Sequence, residues 1–363
     1  MPARVDDAAL ERLRTDGFAI LPGHFDAATT ARARRAFHEE VAPTYEEWAA
    51  AGRPEQTEHT GWTEWPPGSG EKRVRGFPWL SPDLNRLALE PTLLEAAERL
   101  AGVRDLRLCG AGGSIKYAGH EELYGAYGAE DHFHPDQGNQ TLGPGRYPAS
   151  DADAERFPAV EYSTGGWSHH GLAENWQQVA VWVFLNDVAP GMAPLQFWRN
   201  GSTDIEDAGV PAIVPTGTVA FFSMFTRHAA SHWDTTLAPT GQRAVCSFSI
   251  ARADQLWHGS HPGSSIMQSQ QYDGHVEASA RFTSLIVSCT PRQLRFALGF
   301  PMPGDDLWTD GFLAGMEKRH PGFDRRPYDE ARGAELLGDE ELKLASAAAL
   351  RAEVRRLRGI AAL

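Results

Sequence analysis

Apolar residues recur at helical spacing over residues 7–16 and stop at Asp16-Gly17, where the pattern changes. Phe18-Ala19-Ile20-Leu21 then reads as a short buried strand, closed by Pro22-Gly23. A second amphipathic helix is predicted over about 27–41. The stretch from Pro43 to Pro82 is rich in Trp, Pro, Gly and Glu, which predicts an ordered loop region covering something, with 44–80 as a candidate lid. From Leu106 the period shortens. LRLCGAGGSIKY, NWQQVAVWVFLNDV, PLQFW, AIVP, GTVAFFSMF and RAVCSFSIA are rich in Val, Phe, Ile and Trp and are separated by Gly and Pro turns. Six short strands in one block, without long helices between them, predict an antiparallel sandwich or barrel. The expected fold is mainly β with flanking helices, around a double-stranded β-helix (jelly-roll, cupin-like) core. Beyond about residue 255 helix and loop return, and ELKLASAAALRAEVRRLRGIAAL has the composition of a terminal helix.

No Gly/Ser linker interrupts the chain, so its 363 residues are expected to form one domain. Within it lie an N-terminal helical and lid region (about 1–104), the jelly-roll core (about 105–252) and a helical extension (about 253–363). A formal net charge of −14 argues against a nucleic-acid surface, because such surfaces concentrate Lys and Arg. The charged N-terminus has no signal-peptide core and no long apolar run follows, which predicts a cytoplasmic protein without a membrane partner. Cys109, Cys246 and Cys289 show no metal-binding or disulfide spacing and read as buried thiols. Nothing in the sequence fixes the oligomeric state.

Two His and one carboxylate on one face, with open positions beside them, form the facial metal site of non-haem iron oxygenases. On a strand, a His-x-Asp/Glu pair projects both donors to the same side. Six such pairs occur, whereas 14 His and 48 acidic residues in 363 positions give about two by chance, so the bare motif decides nothing. His24-x-Asp26 precedes the second helix as a cap region and His38-x-Glu40 lies within it; both histidines read as surface side chains. His120-x-Glu122 and His275-x-Glu277 sit in polar stretches. His232-x-Asp234 follows the last strand turn, and His232 is a rival to His228. His134-Pro135-Asp136 lies between candidate strands in AEDHFHPDQGNQTLGPG, a rigid polar segment suited to a site lip. A third donor should end a later strand facing the same interior, and His228 closely follows GTVAFFSMF.

Several segments, in order, resemble the phytanoyl-CoA dioxygenase family of Fe(II)/2-oxoglutarate-dependent oxygenases. LRTDGFAILPGHFD resembles its helix–strand opening, HPD its first metal motif, WVFLNDVAPGMAPLQFWRNGS its strand–turn–strand, and GTVAFFSMFTRH the strand ending on its distal His. Together these cover most of residues 10–250. The resemblance implies Fe(II) held by His134, Asp136 and His228, because the family places the distal His eleven positions after the Gly that is Gly217 here. It also implies that Arg243, in GQRAVCSFS, pairs with the far carboxylate of 2-oxoglutarate, for which a planar guanidinium suits better than an ammonium. Lys116 resembles a family lysine before the first metal motif and Trp182 a family Trp lining the co-substrate pocket. Read on their own, the first is a solvated lysine and the second a core tryptophan. Asn139 and Thr141 are candidates to hydrogen-bond the groups that orient the ligands. The chain departs from the family in the longer turn between His228 and Arg243, and in Ala230, where the family has a small hydroxyl.

The chemistry so implied consumes O₂ and 2-oxoglutarate, releases succinate and CO₂, and oxidises a small-molecule substrate. Related halogenases replace the carboxylate by a small residue, so Asp136 favours hydroxylation; desaturation, cyclisation and epimerisation use the same triad. The absence of a basic patch for CoA phosphates points to a small metabolite or natural-product intermediate. Trp167 and His170, in the GGWSHH stretch, are the candidate substrate contacts, although read on their own His169 and His170 are polar loop residues. Two other readings stay open at the level of sequence: a zinc-dependent hydrolase, since the same ligands suit catalytic zinc, and a non-catalytic jelly-roll binding protein.

Overall fold

The computed structural model describes residues 4–55, 62–69, 72–74, 76–121, 178–199, 209–223, 226, 228–252 and 280–331. Its N-terminal third alternates helices with short strands. Helix α1 (Asp7–Asp16) is started by the Asp6 carboxylate accepting from Ala9 N and leads into β1 (Phe18–Leu21). Helix α2 (Ala27–Glu40) is capped in the same way, by Asp26 accepting from Thr29 N. Then come α3 (Tyr45–Ala50), the hairpin strands β2 (Trp62–Glu64) and β3 (Lys72–Val74), α4 (Pro82–Ala88) and α5 (Pro91–Ala101).

The strand block follows the expected order: β4 (Leu106–Tyr117), β5 (Gln178–Phe184), β6 (Leu195–Phe197), β7 (Val210–Pro211), β8 (Val219–Ser223), β9 (His228–Ala230) and β10 (Gln242–Arg252). All pairings are antiparallel. One sheet runs β1-β8-β5-β10-β4, and a smaller one runs β7-β6-β9. The segment AIVP, expected as a strand, contributes only Val214, in a lone bridge to Val188. Past the strands come helices over 280–288, Pro291–Leu298, Asp310–Arg319 and Arg326–Glu330. The candidate terminal helix lies outside the described residues.

Period-two alternation gives the large sheet two distinct faces. Val179, Val181, Val183, Val219, Phe221, Ala244 and Cys246 face the helices and join one core with Leu13, Phe37, Leu84 and Leu93. Phe18, Ala180, Phe184, Ala220, Phe222 and Val245 face the other way and share a second core with Leu195 and Phe197 of the small sheet. The two sheets therefore pack face to face, with Phe197 stacked on Phe18 at 4.9 Å between ring centroids and 5.1 Å from Phe222.

The described part of the Trp-rich 44–80 stretch packs its large rings inward. Trp48, Trp65, Phe77 and Trp79 are buried in the helix-side core, and Trp48 stacks on Tyr117 of β4 at 4.6 Å. Large aromatic rings contribute most when wholly removed from water, and here the sheet's outer face removes them. Two of the three cysteines have described side chains. Cys246 is buried and Cys289 partly so, and burial pushes both thiols up, Cys289 to about 11.

Candidate functional site

Four of the predicted site residues fall in the described structure, and all four belong to the strands that enclose the inter-sheet core. His228 opens β9, where it pairs with Phe197 of β6, and it is buried. Its ring lies 4.8 Å from that of Phe222, on the inner face of the large sheet. Its Nδ1 is 3.0 Å from the backbone oxygen of Thr226. A carbonyl can only accept, so Nδ1 carries the proton and Nε2 carries the lone pair. Metal-ligating histidines are commonly oriented by such a bond. His232, the rival, has a side chain 62% exposed and bonds through Nδ1 to Glu121 Oε2 at 3.0 Å. Of these two, His228 is buried in the interior and His232 is exposed.

Arg243 is the second residue of β10, two positions before Val245, so alternation turns it to the inner face. It is buried, and its Nη1 donates to the backbone oxygen of Ala193. Ala193 has left-handed backbone, with φ of 49°, an uncommon conformation for a residue other than glycine. Ala193 lies four residues before Phe197, the partner of His228, so the carbonyl that holds the guanidinium and the residue that pairs with the imidazole belong to one short segment. Trp182 falls between the two levels. It sits beside Ser247 and Ala220, whereas His228 is level with Ala180 and Phe222 and Arg243 precedes Val245, which pairs with Phe184. Trp182 is half-buried and packs against the inter-sheet core rather than within it.

Lys116 faces Arg243 directly across the β4–β10 ladder. It is buried, not solvated, and its Nζ pairs with Glu121 Oε1 at 2.9 Å. Glu121 was not found by sequence reasoning, and its only signal was the unremarkable pair EE after His120. Its second oxygen accepts from Trp233 N and His232 Nδ1, both at 3.0 Å. Burial opposes its ionisation, but the Lys116 ammonium and these donors outweigh it and hold the carboxyl below the usual range. Ser114 and Gly112 of β4 and Ser247 of β10 continue the inner-face rows of Lys116 and Arg243.

Two histidines expected at the surface are not there. His24 is buried with Nε2 3.2 Å from Thr92 Oγ1, and burial lowers it to about 4. His38 is half-buried: its Nδ1 donates to Ala42 O and its Nε2 accepts from Gln242 Nε2. Both lie against elements that the sequence alone does not bring together, α5 and β10. Asp26, the partner of His24 in the motif, is the cap of α2. His134, Asp136, Asn139, Thr141, Trp167, His169 and His170 lie outside the described residues, as do Glu122 and His275. Among the described residues no group of three or more His, Cys, Asp or Glu is placed to hold a metal ion.

No family model matches the sequence, and no curated protein does. Solved structures with a similar course of the chain exist. The crystal structure of AviO1 from Streptomyces viridochromogenes Tue57 is 14% identical over 70% of this chain and 99% of its own, with a TM-score of 0.42. The non-haem alpha-ketoglutarate-dependent epimerase SnoN from nogalamycin biosynthesis is 22% identical over 68% and 84%, with a TM-score of 0.39. HygX from Streptomyces hygroscopicus, solved with nickel and 2-oxoglutarate bound, is 15% identical over 69% and 88%, with a TM-score of 0.42. Likenesses of this degree assign no function, which rests on the side chains described above.

Proposed function

We propose that the protein is a non-haem Fe(II)- and 2-oxoglutarate-dependent oxygenase with a jelly-roll core, hydroxylating a small metabolite or natural-product intermediate. The observation that carries this reading is that a buried histidine, protonated on Nδ1 so that Nε2 carries the lone pair, and a buried guanidinium both belong to strands that enclose one interior. Each is a polar group set in an apolar interior and held there by a backbone carbonyl, the kind of fixed group that can present itself to a metal or to a dicarboxylate. His134, Asp136 and His228 would hold the iron. Bound together, iron and 2-oxoglutarate supply the oxidising chemistry, in which one oxygen atom of O₂ enters succinate and the other the product.

The remaining work belongs to the chain. Arg243, fixed through Ala193 O, presents a planar donor set to the far carboxylate of the co-substrate. Trp182 lines the interval between that end and His228. Asp136 would supply the third ligand, in place of the small residue that halogenases carry there. Asn139 and Thr141 orient the ligands, and Trp167 and His170 meet the substrate. The protein acts as a single domain, with the sandwich as its catalytic core and the flanking helices as its support.

The test is anaerobic loading with Fe(II) and 2-oxoglutarate, followed by O₂ and measurement of succinate. Succinate is expected with Fe(II) and not with Zn(II), and it is lost in His228→Ala and Asp136→Ala. With a substrate in hand, a gain of one oxygen atom identifies hydroxylation. Zinc-supported hydrolysis, or succinate release unaffected by Asp136→Ala, would overturn the reading.

A further inference from the structure

The end of the interior opposite His228 is built around one carboxylate, and we infer that Glu121 is a positioning residue that sets Arg243 for its anionic ligand. The inference rests on the co-substrate reading above and extends it to a residue with no direct contact. Glu121 lies just past β4, with a side chain only 10% exposed, and accepts three hydrogen bonds. Lys116 Nζ reaches one oxygen; Trp233 N and His232 Nδ1 reach the other.

Two of those donors, Lys116 and Trp233, lead to Arg243. Lys116 is its cross-strand partner. Trp233 pairs through a β-bridge with Met192, the neighbour of Ala193, while Asp234 N donates to Gly191 O at 2.8 Å. The 191–193 turn is thus held against the 233–234 turn, and its last residue carries the carbonyl that accepts Arg243 Nη1 from a left-handed backbone. A residue in that conformation keeps it only where its surroundings enforce it. Glu121 ties the exit of β4, the turn after β9 and, through Trp233, the acceptor of Arg243 into one unit. His228 is held by Thr226 O and by the β6–β9 ladder, which runs on through Ser231 N, donating to Pro194 O, to the Trp233–Met192 bridge; Glu121 grips the far end of that run.

The experiment compares ligand affinities of the Ni(II)-loaded full-length protein and its Glu121→Gln variant by calorimetry. The probes are 2-oxoglutarate and 2-oxobutyrate, which chelates by the same oxo-acid group but has no far carboxylate. Removing the charge of Glu121 is expected to weaken 2-oxoglutarate about tenfold or more, in the range usual for groups that orient ligands, with Ni(II) and 2-oxobutyrate affinities unchanged. Glu121→Asp, which keeps the charge, should recover part of the loss. Equal losses for both oxo acids and for the metal would show general loosening and overturn the inference. So would unchanged 2-oxoglutarate binding in Glu121→Gln, with the co-substrate reading left intact. A wild-type protein that binds Ni(II) but neither oxo acid would overturn both.

Discussion

Arg243 carries the chemical choice at this site, because its role depends on shape as well as charge. A guanidinium offers a fixed fork of donors, and one Nη already goes to Ala193 O, which sets the plane of the group. Lysine at the same position keeps the charge but loses both the fork and the fixed plane. Arg243→Lys is therefore expected to weaken 2-oxoglutarate by about 1.5–3 kcal/mol, the value of a hydrogen bond to a charged group, while sparing 2-oxobutyrate. Calorimetry with the two oxo acids measures this directly, and equal affinity of Arg243→Lys and wild type for 2-oxoglutarate would remove the residue from the site. At this scale the sequence was informative where a residue sits within a patterned strand: Arg243 and Trp182 inherit their facing from Val, Phe and Ala neighbours at period two. It was silent on Glu121 and misleading on His24, and for Lys116 only the reading as a solvated lysine fails, since burial depends on chain segments distant in sequence.

Elements show the same division between local and distant causes. The strands β4, β5, β8 and β10 were legible because their apolar runs are long, whereas β9 is three residues with no pattern and exists only through its ladder to β6. The helices from 45 to 101 were hidden by Pro and Trp that here start helices or fill the core. Gly113 illustrates a packing requirement invisible to periodicity: a Cβ there would stand 2.7 Å from both Phe37 Cε2 and Val41 Cγ1, so α2 can approach β4 only because the residue is glycine. Gly113→Ala should destabilise the fold by about 1–3 kcal/mol, as overpacking does. Gly315, within the helix Asp310–Arg319, has nothing within 4 Å of an added Cβ, and Gly315→Ala should stabilise by about 0.5–1 kcal/mol. Denaturant midpoints at constant slope would report both, and a neutral Gly113→Ala would mean that α2 does not depend on that close approach.

Across the whole molecule, buried histidines couple stability to pH. Burial lowers His24 from 6.5 to about 4 and lowers His38 and His320 in the same direction. In this window the unfolded chain binds protons that the native state refuses, so stability is complete above about pH 6.5 and falls as pH drops towards 4. For His24 alone the fall amounts to roughly 3 kcal/mol. Glu40, raised by burial, opposes the trend, because its native carboxyl takes up a proton more readily than in the unfolded chain. Lowered carboxylates such as Glu121, Asp187 and Asp234 add further losses below their usual range, on the same side as the histidines. Denaturation of metal-free protein between pH 7.5 and 4.5 should show a steady loss of stability, reduced in His24→Gln, whose amide does not titrate and can still reach Thr92 Oγ1. Metal-free protein removes the separate effect of protons competing with the metal for His228. A midpoint that stays level down to pH 5, or that falls as steeply in His24→Gln as in wild type, would show that His24 does not carry the coupling.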